Sequence, residues 1–137
     1  MAKISFRLVM PERELVNIEA DMVVVPGVEG DFGAMHGHAP LISIVRPGVL
    51  EVIQGSKVEQ RFMVVGGFAE VTPERCTVLA DEATPLEQVT ADQLVERQRA
   101  AERDLVDAAT DAEKAAAQKA LSVAKDLQRA QAFYAGR

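Results

Sequence analysis

The sequence predicts an antiparallel β-sandwich, or flattened barrel, followed by an antiparallel two-helix hairpin. Two observations carry that expectation. Before Pro85, short runs rich in Val, Ile and Phe alternate with turn signals at close spacing, the pattern of many short strands in succession. After Pro85 there is no further proline, and no glycine until Gly136, while the apolar residues take up a helical period. The expected domains are residues 1–84 and 85–137.

Taken in order, the expected strands are Ile4 to Met10, Glu14 to Ala20, Met22 to Val25, Leu41 to Arg46, Val49 to Gln54, Val58 to Val65, Phe68 to Val71 and Arg75 to Ala80. Alternation is clean in the fifth, where Leu50, Val52 and Gln54 take one face and Val49, Glu51 and Ile53 the other. Pro47-Gly48, Gln54-Gly55-Ser56-Lys57 and Thr72-Pro73-Glu74-Arg75 supply hairpin turns. No long helical period interrupts this half, so its sheets are expected to be mainly antiparallel. The stretch Val28 to Leu41 concentrates three of the nine glycines, both histidines and one proline. It reads as a built loop whose glycines, Gly30, Gly33 and Gly37, supply positive φ or close approach.

In the helical half, Thr90 with Gln93 and Thr110 with Glu113 each offer a capping box. Ala116, Ala120, Val123, Leu127, Ala130 and Tyr134 form the expected apolar stripe of the second helix, facing Leu94, Ala101, Leu105 and Ala108 on the first. The short Asp-Ala-Ala-Thr connection makes the helices antiparallel neighbours. Glu87 to Glu113 carries eight acidic and three basic residues, whereas Lys114 to Arg137 carries one acidic and five basic, so the two helices should attract. Lys114, Lys125 and Arg129 are expected to form an exposed ridge opposite the stripe. Because alanine favours helix but buries little apolar area, this hairpin should be weakly held.

A length of 137 residues with 48% hydrophobic content suits one domain with a small appendage. The formal charge of -6 excludes nucleic acid as a natural partner, since phosphate backbones demand clustered Lys and Arg. Cys76 is the single cysteine, which leaves no intrachain disulfide, and its strand-like setting points to an inert buried thiol. The N-terminus lacks a signal-like apolar region, and no run reaches the roughly 18 to 20 residues of a membrane span, so a soluble chain is expected. Gly-x-Ser-x-Gly, phosphate-binding Gly-Lys-Ser/Thr and Cys/His pairs are absent, and no catalytic residue or cofactor is assigned. His36-Gly37-His38 would place two imidazoles on one face of a strand, as in the opening of a cupin metal motif. The following Glu and third His of that motif are missing, so a cupin-like metal enzyme stands only as the alternative.

Glu29-Gly30-Asp31-Phe32-Gly33, Gly37-His38-Ala39-Pro40-Leu41, Pro47-Gly48, Gly66-Gly67-Phe68-Ala69-Glu70-Val71 and Thr77-Val78-Leu79-Ala80-Asp81 occur in that order. In residues and spacing the chain resembles the epsilon subunits of F-type ATP synthases, closely from about Ile4 to Ala83 and by architecture beyond. The family usually has proline where His36 stands. The resemblance implies a non-catalytic rotor component at the cytoplasmic face of the bacterial inner membrane, bound to the gamma subunit and the ring of c subunits. By position it implies that Glu29, Gly30 and Asp31 face the c ring and that His38 lies at the gamma contact. Lys114, Lys125 and Arg129 would meet an acidic segment of a catalytic beta subunit if the helices opened. Family members that bind ATP on the helices carry an acid and an Arg near the start of the first helix. The ungapped window Val89 to Leu94 has Thr90 and Gln93 in those places, and only a shifted window, Val95 to Ala100, restores Glu96 and Arg99. Weak or absent ATP binding follows, because Gln lacks the charge and most donors of Arg.

Overall fold

The computed structural model describes residues 2–137. It falls into two compact units that divide between Leu86 and Glu87. The first contains ten strands: β1 (Ile4–Val9), β2 (Glu14–Ala20), β3 (Met22–Gly27), β4 (Gly30–Ala34), β5 (Leu41–Ile44), β6 (Gly48–Gln54), β7 (Lys57–Val65), β8 (Phe68–Val71), β9 (Arg75–Leu79) and β10 (Glu82–Pro85). Among the described residues they form two five-stranded sheets, ordered β2-β1-β9-β8-β5 and β10-β7-β6-β3-β4.

Alternation in sequence becomes alternation in burial. Ile4, Phe6 and Leu8 of β1 point inward, as do Val23 and Val25 of β3, Leu50 and Val52 of β6, and Cys76 and Val78 of β9, all inaccessible to solvent. These residues merge into one core with Phe62, Val64, Ala69 and Val71. Val and Ile suit strands because their branched side chains pack on a pleated surface, and two inward-facing apolar layers complete the sandwich.

The structure departs from expectation at three places in this unit. The stretch Val28 to Leu41 is not all loop. Gly30–Ala34 pairs antiparallel with β3, from Gly27↔Gly30 to Val23↔Ala34, so Val28 and Glu29 form the tip of a hairpin. Glycines hid this strand from a reading based on β propensity. At one of them, Gly33, the Met22 side chain packs over the backbone, and a Cβ there would stand 2.7 Å from its sulfur, so that side chain would have to shift. Second, Glu82–Pro85 pairs with β7 as an edge strand, a position where proline's missing N–H is tolerated. Third, β1 and β9 pair in parallel, with Phe6 opposite Cys76 and Leu8 opposite Val78. The remaining strand pairs are antiparallel.

The second unit contains α1 (Ala91–Asp107) and α2 (Asp111–Tyr134), preceded by a 3-10 turn over Leu86–Gln88. Thr90 closes a full capping box: its hydroxyl accepts from Gln93 N at 3.2 Å, and its own N–H donates to Gln93 Oε1 at 3.0 Å. At Thr110 the box is incomplete. The hydroxyl accepts from Glu113 N at 3.1 Å, but the Glu113 carboxylate takes the Thr110 hydroxyl rather than its backbone N–H. On α1, Leu94 and Ala101 are buried and Leu105 and Ala108 half-buried, as the stripe requires. On α2 the stripe is correct only toward its C-terminal end. Ala117, Ala124 and Leu127 are buried, whereas Ala116 and Ala120 are exposed. In an alanine-rich helix, small apolar residues occur on every face, so periodicity alone does not fix which line turns inward. Two leucines and three alanines are the fully buried residues of the pair. The start of α1 meets the end of α2 through Gln128, whose amide donates to Gln98 Oε1 at 2.6 Å and to Leu94 O at 3.3 Å.

Gly67 gives the sharpest backbone test of this fold. It has φ of 91°, and a Cβ on it would overlap the Leu79 carbonyl oxygen, which belongs to a neighbouring strand that cannot retreat. Gly67→Ala should therefore destabilise the chain by about 3 kcal/mol or more in urea unfolding. A loss under about 1 kcal/mol would show that the β7–β8 crossing does not follow this path.

Candidate functional site

The β3–β4 hairpin tip holds Glu29, Gly30 and Asp31 together, all exposed. It is fastened to the other sheet by main-chain bonds. Val28 N donates to Ile44 O at 2.8 Å, Arg46 N donates to Pro26 O at 2.9 Å, and Gly27 bridges Val45. Arg46 adds its side chain: Nη1 donates to Gly27 O at 2.6 Å and Nη2 to Asp31 Oδ1 at 2.5 Å. Of the two acids, Asp31 is ion-paired, and Glu29 stands at the turn.

His36, Gly37 and His38 lie in a turn and the coil after it, not on the strand that a cupin-like pair would need. Among the described residues, no three His, Cys, Asp or Glu side chains gather into a metal-holding group. The turn is anchored by Gly37 N donating to Pro73 O at 2.8 Å and by His38 N donating to Met35 O at 3.0 Å. His38 is half-buried beside Phe32, with ring centroids 6.3 Å apart. Its Nδ1 lies 2.6 Å from Ala39 O. A carbonyl oxygen only accepts, so Nδ1 carries the proton and the neutral ring offers Nε2 as an acceptor.

Next to the hairpin, the outward face of one sheet carries an apolar row that the sequence reading did not single out. Ile44 pairs with Phe68 and Phe68 with Leu79, which places the three side by side across β5, β8 and β9. Ile44 is 65% exposed, Phe68 43% and Leu79 37%, and Ile42, 69% exposed, extends the patch one step along β5. Contiguous exposed apolar side chains of this kind mark interaction surfaces. The signal was present in Leu41-Ile42-Ser43-Ile44, where apolar residues occupy both faces of a short strand, so one of them had to face outward.

Lys114, Lys125 and Arg129 are exposed on α2. On the helical wheel Arg129 lies opposite the line of Ala117, Ala124 and Leu127, and Lys114 and Lys125 lie on the side away from Leu127. Arg129 is ion-paired with Asp126. On α1, local contacts engage three of the four residues weighed for nucleotide, Thr90, Gln93 and Glu96, and the fourth, Arg99, is exposed. Thr90 and Gln93 form the cap, while Glu96 pairs with Arg103 at 2.9 Å. That hydrogen bond and the Arg103 charge hold the Glu96 carboxyl below its ordinary range.

Residues 3–86 match the family described as ATP synthase, Delta/Epsilon chain, beta-sandwich domain. The chain is 52% identical over 123 residues to an ATP synthase epsilon chain of Rhodospirillum rubrum, covering 90% of this chain and 92% of that one. It is 50% identical over 125 residues to the epsilon chain of Paramagnetospirillum magneticum, covering 91% and 94%. In fold it is similar to a chain of the Euglena gracilis mitochondrial ATP synthase, with TM-score 0.78, 23% identity and coverage of 95% and 82%. A chain from the central stalk and c-ring structure of the Tetrahymena thermophila mitochondrial enzyme gives TM-score 0.71, 21% identity and coverage of 94% and 96%.

Cys76 lies outside these surfaces, fully buried, and burial pushes its thiol up to about 12. Desolvation disfavours the thiolate, so the folded chain should resist a thiol-specific alkylating reagent at pH 8 and react only after denaturation. Rapid labelling of the native chain, followed by mass spectrometry, would contradict this placement.

Proposed function

Because the chain belongs to the ATP synthase epsilon chain family, whose members are non-catalytic subunits of the central stalk, we propose that it couples proton flow through the c ring to ATP synthesis by turning with a gamma subunit. Its place would be the cytoplasmic face of the bacterial inner membrane, held there by partners. No helix among the described residues is long and apolar enough to cross a membrane.

The observation that carries this reading is the pairing of two unlike surfaces on one strand unit: an acidic hairpin tip and an exposed apolar row. The tip, with Glu29, Gly30 and Asp31, suits the polar loops of a c ring. The apolar row of Ile42, Ile44, Phe68 and Leu79 suits a lasting contact with a stalk subunit, and His38 supports the same assignment by offering Nε2 to a donor on gamma. The helical pair is assigned a regulatory role. Its few large buried side chains favour a separable arm, and Lys114, Lys125 and Arg129 would then be available to an acidic segment of a beta subunit.

Phe68→Asp should weaken binding of the chain to purified gamma by about tenfold or more, since it puts a charge at the centre of a desolvated contact. Circular dichroism should stay unchanged because Phe68 faces outward. Undiminished binding would remove the apolar row from the gamma contact.

ATP binding is proposed to be weak or absent, because Gln93 stands where a phosphate-gripping Arg would be required and its side chain already caps α1. Calorimetric titration of the isolated chain with ATP should show no saturation below millimolar concentration. A micromolar dissociation constant would overturn the proposal, and its loss in Arg99→Ala would move the site to the Val95–Ala100 window.

A further inference from the structure

We propose that Arg46 is the residue that positions the β3–β4 hairpin tip, so that Glu29 alone presents the contact charge while Asp31 serves as Arg46's anchor. The inference deepens the proposed c-ring contact and rests on it. It arises from the way one side chain reaches both strands of the hairpin. Nη1 donates to Gly27 O on β3 and Nη2 to Asp31 Oδ1 on β4. Gly27 pairs with Gly30 and Pro26 with Asp31, so the guanidinium spans the last register steps below the tip.

A two-residue tip at the end of paired strands is held mainly by its own ladder. Here the strand residues at its base include two glycines, Gly27 and Gly30, which contribute no side-chain packing. Arg46 replaces that packing with two directed bonds. It is itself fixed by the bond from its backbone N–H to Pro26 O, and it follows directly after Val45, which bridges Gly27. The Asp31–Arg46 pair is close to half-exposed on both sides, 46% and 41%, so its Coulomb attraction alone adds little stability. Its contribution is geometric: a planar guanidinium fixes two acceptors at once, which a lysine ammonium cannot do in the same arrangement. It also changes what a partner meets. With Asp31 neutralised by Arg46, the tip carries one uncompensated carboxylate rather than two.

The test uses reconstituted synthase vesicles, with ATP-driven proton pumping measured against ATP hydrolysis for each variant. Glu29→Lys tests the underlying contact and should lower pumping per ATP. Arg46→Leu should lower it by a comparable factor and Arg46→Lys by less, while the exchanged pair Asp31→Arg with Arg46→Asp should stay low, because a carboxylate at position 46 keeps the charge pairing but has no donor for Gly27 O. The melting temperature of each isolated variant is measured in parallel, and should stay within a few degrees of the unsubstituted chain, because the pair is exposed. If Glu29→Lys uncouples but Arg46→Leu does not, or if the exchanged pair recovers fully, the positioning role is wrong and the contact stands. Should Glu29→Lys leave coupling intact, the c-ring assignment of the tip itself fails, and this proposal with it.

Discussion

The strand unit depends on one long-range constraint, the parallel seating of β1 against β9. β1 is an inner strand of its sheet, flanked by β2 and β9, and its inward residues Ile4, Phe6 and Leu8 are inaccessible to solvent. Parallel neighbours cannot be joined by a tight hairpin, so β2 to β8 must be laid down between them. Without that pairing the sheet would separate into a β1–β2 hairpin and a three-stranded remnant, and its apolar layer would open along the seam. The same seating carries β8 and β5 to the far edge, where their outward residues form the exposed row. It also explains the double glycine. Gly66 and Gly67 enter β8 beside Leu79 and Asp81, where an added side-chain carbon would meet existing atoms.

Much of this was legible in the chain, for a physical reason. Where a strand has one buried face and branched residues, alternation marks it, and Glu14–Ala20 and Phe68–Val71 stand as the sequence implies. The strands that escaped notice are those without that chemistry. Gly30–Ala34 contains two glycines, Gly30 at a positive φ and Gly33 against the Met22 side chain, and Glu82–Pro85 is short, with proline at its end. The parallel pair was invisible because nothing local distinguishes a strand that pairs with its successor from one that pairs with a segment some seventy residues on. Alanine explains the rotation of the α2 stripe, since helix propensity and burial favour it alike. At the hairpin tip, Glu29 and Asp31 announced themselves as acids in a glycine-rich stretch. Arg46 did not, because its partners Gly27 and Asp31 lie in a hairpin of the opposite sheet.

The two surfaces of the strand unit have complementary demands. An apolar row gains from water exclusion over its area and needs a flat, stiff support, which the core beneath β8 and β9 supplies through Ala69, Val71, Cys76 and Val78. A charged tip needs fixed direction more than area, and its anchors are bonds rather than packing. Placing the tip on β3–β4 and the row on β5–β8–β9 joins both to one core. The main-chain bonds between Val28 and Ile44, and between Val45 and Gly67, link those supports directly.

The Gln128 clasp has a consequence for the helical pair. Its groups are uncharged: one amide, one side-chain carbonyl and one backbone carbonyl. It works as a register pin, since sliding α2 by a single residue would carry the amide away from both acceptors. When the helices part, water can take over each of these bonds at a net cost of about 1 kcal/mol apiece, and no clasp charge is stranded in an apolar setting. Alignment is therefore specified when the pair is closed without being locked, a combination that would let such a pair reseal in the same place if it opened.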